Sequence, residues 1–139
     1  MNAIALQRRQ YFWMFAMLAV ITLIVFASRP RHYDIKEVTA AEAQAMMAAG
    51  AIVIDVRDRV TSSHARLPGA LQIPQDALEV AVAKLDVTKL ANIVVYCGDG
   101  STHGPESTEI LNKAGYKNAV NLKSGFEGWK AAGLPTAHN

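Results

Sequence analysis

The chain has 139 residues, 51% of them hydrophobic and 19% charged, a length that suits one domain able to bury a core unaided. Its single cysteine excludes an intrachain disulfide. The net charge of +2 is unevenly spread: from Pro30 onward 11 Lys and Arg face 12 Asp and Glu. The excess comes from Arg8, Arg9 and Arg29 around an apolar run, so nothing marks the remainder as a nucleic-acid binder.

Residues 11–27, YFWMFAMLAVITLIVFA, contain no charge, proline or glycine. As a helix they would span about 26 Å, just enough for a bilayer core. Tyr11 and Trp13 stand where interfacial aromatics belong, and Arg8, Arg9, Arg29 and Arg31 can reach headgroups. The alternative is a cleaved signal peptide with Val25-Phe26-Ala27 as its site, although the apolar run exceeds the usual h-region of roughly 7–15 residues. Length therefore favours a membrane anchor over residues 1–29. Arg29, Arg31 and Lys36 after the span balance Arg8 and Arg9 before it, so charge alone does not orient it. Read as an export-type segment, it places the domain on the periplasmic side.

Residues 30–139 read as an α/β domain. After a polar linker, residues 35–38 suggest a short edge strand. Thr39-Ala40-Ala41-Glu42 fits a capping box before a helix that Gly50 closes. Residues 51–56, AIVIDV, have the continuous apolar character of a buried parallel strand. Leu67-Pro68-Gly69-Ala70 is a turn into a second strand, 71–73, and Pro74 precedes a helix through about Leu85. Residues 92–96 form a third strand, and the stretch YCGDGSTHGPES leaves its end. A helix from Pro105 to Ala114 stops at Gly115, a strand covers 119–122, and a last helix covers 125–132.

Strands alternating with helices at this spacing imply a mostly parallel sheet flanked by helices. Ligands of such sheets bind beyond the carboxyl ends of the strands. Asp55, Arg57 and Cys97 fall at strand ends and can share one crevice.

Pro105 suits the first helical position, and Glu106 and Glu109 complement the helix dipole. Residues 97–104 thus arch over a helix N-terminus, with Gly98, Gly100 and Gly104 free to take positive φ around an anion. Main-chain N–H groups there favour an anionic, nucleophilic sulfur at Cys97 and could equally hold a persulfide, an oxyanion or a phosphate. Spacing alone leaves open an inert core thiol beside an ordinary turn.

Two stretches resemble the rhodanese family: VIDVRDRVTSSHARLPGALQIP (53–74) and IVVYCGDGSTHGPESTEILNKAGYKNAVNLKSGFEGWKAAGLP (93–135). The resemblance covers residues 33–137 and implies a three-layer α/β domain with a central parallel sheet. It implies that Cys97 carries a persulfide, taking sulfur from a thiosulfate or persulfide donor and passing it to a thiol or cyanide acceptor. The binding loop would be Gly98, Asp99, Gly100, Ser101, Thr102, His103 and Gly104. Many members have an arginine five residues after the cysteine, where this chain has Thr102. The loop looks one residue long, as in the phosphatase and arsenate-reductase branch, whose Arg-Gly-Pro is matched here by His103-Gly104-Pro105. A histidine lacks the bidentate fork that clamps phosphate, and Asp99 opposes a dianion, so sulfur transfer ranks above those chemistries. A non-catalytic binding module is the third reading. His103 offers a proton or a pH-dependent charge.

Asp55 and Arg57 match family positions and suit a supporting ion pair. Arg59 and Arg66 can steer an anion or simply lie in solvent, and His64 can reach the rim or do the same. Phe126 and Trp129 read as core or pocket wall. His32 and His138 carry no assignment. Four scattered histidines and one cysteine give no metal-ligand spacing, and no cofactor is implied.

Overall fold

The computed structural model describes residues 3–138. Backbone contacts divide the chain into two units, one ending at His32 and the other beginning at Tyr33. In the first, helix α1 runs over Ala3–Ala27 and so begins before the expected span, taking in Arg8 and Arg9. Arg, Gln and Leu are good helix formers, and no capping residue stops the helix at Tyr11. Leu6–Ala27 is long and apolar enough to cross a bilayer, a criterion that an export signal also meets. Thr22 Oγ1 donates to the Leu18 carbonyl at 2.8 Å and Ser28 Oγ to that of Ile24 at 2.7 Å, which satisfies both hydroxyls without water.

The second unit carries five strands: β1 (Glu37–Val38), β2 (Ile52–Asp55), β3 (Leu71–Gln72), β4 (Ile93–Tyr96) and β5 (Ala119–Leu122). They form one parallel sheet in the order β1-β5-β4-β2-β3. Side chains alternate along β4. Val94 and Tyr96 join Ala43 of α2 (Ala40–Ala48) and Phe126 and Trp129 of α6 (Gly125–Ala131) in one core. Ile93, Val95 and Cys97 join Leu78 and Val82 of α4 (Leu78–Val82) and Leu111 of α5 (His103–Lys113) in the other. Helices cover both faces, which is why β2 and β4 read as nearly unbroken apolar runs.

The capping box forms as expected: Glu42 N–H donates to Thr39 Oγ1 at 3.3 Å, and Thr39 N–H to Glu42 Oε2 at 2.7 Å. Other boundaries differ. The edge strand is two residues long, and the helix expected after Pro74 is a 3₁₀ turn, Gln75–Ala77, followed by the short α4. Helix α3, Arg59–His64, was not anticipated because RVTSSH has one apolar residue, Val60, and that one is exposed. Its start is fixed by Asp58, whose Oδ1 accepts the Thr61 N–H at 2.8 Å. Helix α5 begins at His103, so Pro105 is its third residue rather than its first. Any first-turn position tolerates proline, because those N–H groups have no partner inside the helix.

The chain passes outward from β2 to β3, then returns to the other side of β2 for β4 and continues away to β5. The loops after β2 and β4 therefore part from each other, and a crevice opens at this switch point. Ile54, fully buried in β2 and flanked by β3 and β4, anchors that centre. Ile54→Ala should cost about 2–5 kcal/mol of unfolding free energy in a denaturant titration, and a change within error would contradict this packing.

Candidate functional site

The crevice holds a cavity of about 620 Å³. Its wall comprises residues 56–59 and Thr61 after β2, residues 74–77, and Cys97, Gly98 and His103 after β4. Cys97 is the first residue beyond β4 and is 3% exposed. Its Sγ accepts the Gly100 N–H at 3.2 Å and stands 3.8 Å from Asp99 Oδ1. Helix α5 starts six residues further on without a side-chain cap at Thr102.

Close packing holds the loop in this curl. Gly100 has φ 81°, and a Cβ there would overlap the Lys123 carbonyl oxygen. Gly98 and Gly104 do not take the positive φ expected of them. Gly104 is required for space instead: a Cβ would overlap Asn121 Oδ1 and stand 3.3 Å from Cys97 Sγ. The first amides of α6 hold the loop from behind, Phe126 N–H on the Cys97 carbonyl at 2.8 Å and Glu127 N–H on that of Gly98 at 2.9 Å.

Asp99 is exposed and turns back on its own loop. Its Oδ1 accepts the Ser101 N–H at 3.0 Å and its Oδ2 the Ser101 hydroxyl at 2.8 Å. The Ser101 N–H, then its hydroxyl, hold the Asp99 carboxyl below the usual carboxylate range. Ser101 and Thr102 are exposed and stand outside the cavity wall.

Register places a second cluster at the strand ends, since Asp55 pairs with Tyr96 across β2 and β4. Asp55 Oδ1 accepts the Arg57 N–H at 3.0 Å and Nε–H at 2.9 Å, while Oδ2 accepts Arg57 Nη2 at 2.6 Å and the Tyr96 hydroxyl at 2.7 Å. Arg57 Nη2 also donates to the Ala65 carbonyl at 2.8 Å, and its guanidinium lies 4.2 Å from the Phe126 ring centroid. The Tyr96 hydroxyl accepts the Leu67 N–H at 3.1 Å. Burial alone would lower the Arg57 pKa, but its bonds to Asp55 outweigh that and raise it; burial and the Asp55 charge push Tyr96 upward.

Among the expected residues, Arg57 and Arg59 reach the cavity wall, whereas Asp55 is wholly buried behind it. Arg66 is not brought to the cavity: its backbone is taken up in an antiparallel bridge with Ala137 near the C-terminus. His64 likewise stands outside the wall, and its carbonyl lies 2.8 Å from His138 Nδ1. Asn121 went unnoticed in the sequence. It is fully buried, and its Nδ2 donates to Gly100 O at 3.1 Å and Glu37 Oε1 at 3.0 Å. The signal was present as one amide interrupting the apolar run AVNL. Asp58 and Asp76 joined the wall through α3 and the 3₁₀ turn, neither of which has a clear periodic pattern.

A doubly covered parallel sheet with a thiol under a main-chain amide at its switch point defines a class of α/β protein built around one cysteine loop. The family model of the rhodanese-like domain matches residues 39–132. The thiosulfate sulfurtransferase GlpE of Haemophilus influenzae is 32% identical over 104 residues, covering 72% of this chain and 92% of that protein. The human single-domain sulfurtransferase TSTD1 superimposes with a TM-score of 0.63 at 26% identity, over 68% of this chain and 95% of the other. The Alr3790 protein of Anabaena superimposes with a TM-score of 0.67 at 27% identity, over 73% and 82%. The chain belongs to the rhodanese family and is a rhodanese-like sulfurtransferase.

Asp55→Ala would leave Arg57, 6% exposed, without its counter-charge, and should cost about 3–5 kcal/mol in denaturant unfolding. The Asp99 carboxyl is depressed in the fold, so its bonds to Ser101 are complete above the ordinary value of about 3.9 and are lost as pH falls through the lower one. The Ser101 amide shift, followed by NMR, should inflect below that ordinary value, and an inflection at or above it would remove the bond from the account.

Proposed function

We propose that this protein is a membrane-tethered single-domain sulfurtransferase in which Cys97 carries the sulfur. The observation that carries the reading is the Gly100 N–H held 3.2 Å from the Sγ of Cys97, a residue of the cavity wall. A main-chain donor fixed there favours negative charge on sulfur without reorganising during reaction. In the forward half-reaction the Cys97 thiolate attacks the outer sulfur of thiosulfate or of a persulfide. The sulfur bond in the donor breaks, its electron pair leaves with sulfite or thiolate, and Cys97 keeps the transferred atom as Cys97–S–SH or its anion. An acceptor thiolate or cyanide then attacks that outer sulfur and frees Cys97.

Gly98, Asp99, Gly100, Ser101, Thr102, His103 and Gly104 form the loop around the sulfur, and Asp55 and Arg57 brace the strand ends behind it. Arg59 and His103 line the approach to Cys97. Residues 1–29 anchor the chain in the bilayer, and the apolar helix through Ala27 supports this. The domain, residues 30–139, then works on the periplasmic side.

Intact-mass measurement of the full chain in detergent tests the chemistry. Exposure to thiosulfate or a low-molecular-weight persulfide should add one sulfur, about 32 Da, and Cys97→Ser should abolish the gain. No adduct with either donor sinks the reading, and a Cys97-dependent phosphatase activity in its place would favour the phosphate branch. Retention of the chain in membranes after alkaline carbonate extraction is the expected result for the anchor; release would point to a cleaved signal.

A further inference from the structure

The Gly100 N–H is the main-chain donor on Cys97 Sγ, and glycine has no side chain to hold it there. At φ 81° its conformation is set by what packs against it and by what its carbonyl bonds. The packing comes from the Lys123 carbonyl, which a Cβ at Gly100 would overlap. The bond comes from Asn121, whose Nδ2 donates to the Gly100 carbonyl at 3.1 Å. The same nitrogen donates to Glu37 Oε1 at 3.0 Å, so both amide hydrogens have acceptors. Register sets Glu37 of β1 beside Asn121 of β5, which puts both side chains on one face of the sheet.

Stability does not account for an amide at this place. Asn121 is wholly buried in a strand whose other members are Ala119, Val120 and Leu122. Its Oδ1 accepts no hydrogen bond among the described residues, and a buried carbonyl without a donor costs free energy that an apolar side chain avoids. A Cβ at Gly104 would overlap that oxygen, so the amide is also closely packed against the start of α5. The nitrogen, by contrast, makes both its bonds, and one of them runs to the cysteine loop.

We infer that Asn121 is a positioning residue for the reactive sulfur of Cys97: its Nδ2 holds the Gly100 carbonyl so that the Gly100 N–H stays on Sγ, and Glu37 fixes the orientation of the amide. Without the Nδ2 bond the glycine loses one of its restraints, the N–H moves off Sγ, and negative charge on sulfur loses a preorganised donor. The consequence for turnover rests on the sulfur-transfer reading above. The effect on the thiolate does not, because any electrophile that meets Cys97 reports it.

The test follows alkylation of Cys97 by iodoacetamide in the full chain in detergent, by mass, from neutral to alkaline pH. The thiolate is the reacting form, so the neutral rate reports the donor on sulfur, while the rate above about pH 10.5 reports access alone. Asn121→Ala should lower the rate near pH 7 by about tenfold, the weight of one hydrogen bond to a charged group, and leave the alkaline rate within about twofold. Glu37 is exposed on the edge strand, and its variants leave the core untouched. Glu37→Ala should lower the neutral rate several-fold, and Glu37→Gln, which keeps an oxygen acceptor for Nδ2, should restore it. Asp99, 3.8 Å from Sγ, and Arg57, Asp58, Arg59, Asp76 and His103 on the cavity wall are common to all these proteins, so their charges cancel in the comparison. A neutral rate unchanged in Asn121→Ala, or a loss as large at alkaline pH, overturns the inference, and so do equal rates for the two Glu37 variants. Should alkylation behave as stated while no sulfur donor modifies Cys97, the positioning stands and sulfur transfer falls.

Discussion

The bidentate contact between Arg57 and Asp55 sits where the two central strands end, and the geometry of the cavity follows from it. Both side chains are buried, so each charge is held out of water and must be satisfied by the protein. Asp55 does this with four donors from Arg57 and Tyr96, and Arg57 adds a carbonyl, Ala65, and the face of Phe126. Tyr96 is the residue before Cys97. The cluster therefore ties the turn after β2, the end of α3, the start of α6 and the strand that presents the thiol. Replacing it with apolar groups could be neutral for stability, but it would release the angle at which these segments meet.

Alternation along β4 separates this framework from the chemistry. Tyr96 points into the core shared with α2 and α6, and Cys97, one residue later, belongs to the core shared with α4 and α5. A rigid charged cluster thus lies on one side of the sheet and the thiol on the other, at the point where the loops after β2 and β4 part. The loop is held by packing at its glycines. Gly100 meets Lys123 and Leu122, and Gly104 meets Asn121 and the sulfur, so the curl is fixed by its contacts with the end of β5. The Gly100 N–H reaches Sγ as a consequence of that fit.

The wall facing the sulfur differs in character from the framework behind it. Its acidic groups come from two separate places: the cap of α3 and the 3₁₀ turn before α4. Thiosulfate appears in the names of relatives that match most of their length to this chain.

The parallel α/β architecture, the apolar N-terminal segment and the cysteine loop at a strand end are written in short stretches of sequence. These rest on local signals: unbroken apolar runs, a capping box at Thr39 and Glu42, and glycines after helices, each dictated by backbone geometry within a few residues. Asp55 and Arg57 were legible as a supporting pair through their match to family positions at a strand end. Tertiary structure alone decided the rest. Helix α3 has almost no apolar face and is specified by its Asp58 cap and its place beside the cavity. Arg66 was lost to the C-terminal bridge, a partner 71 residues away in the chain. Asn121 came to hold the cysteine loop through the Gly100 carbonyl only because β5 lies beside β4. Close packing between segments distant in sequence leaves little periodic trace, and so the shape and charge of the cavity emerged only when the sheet was assembled.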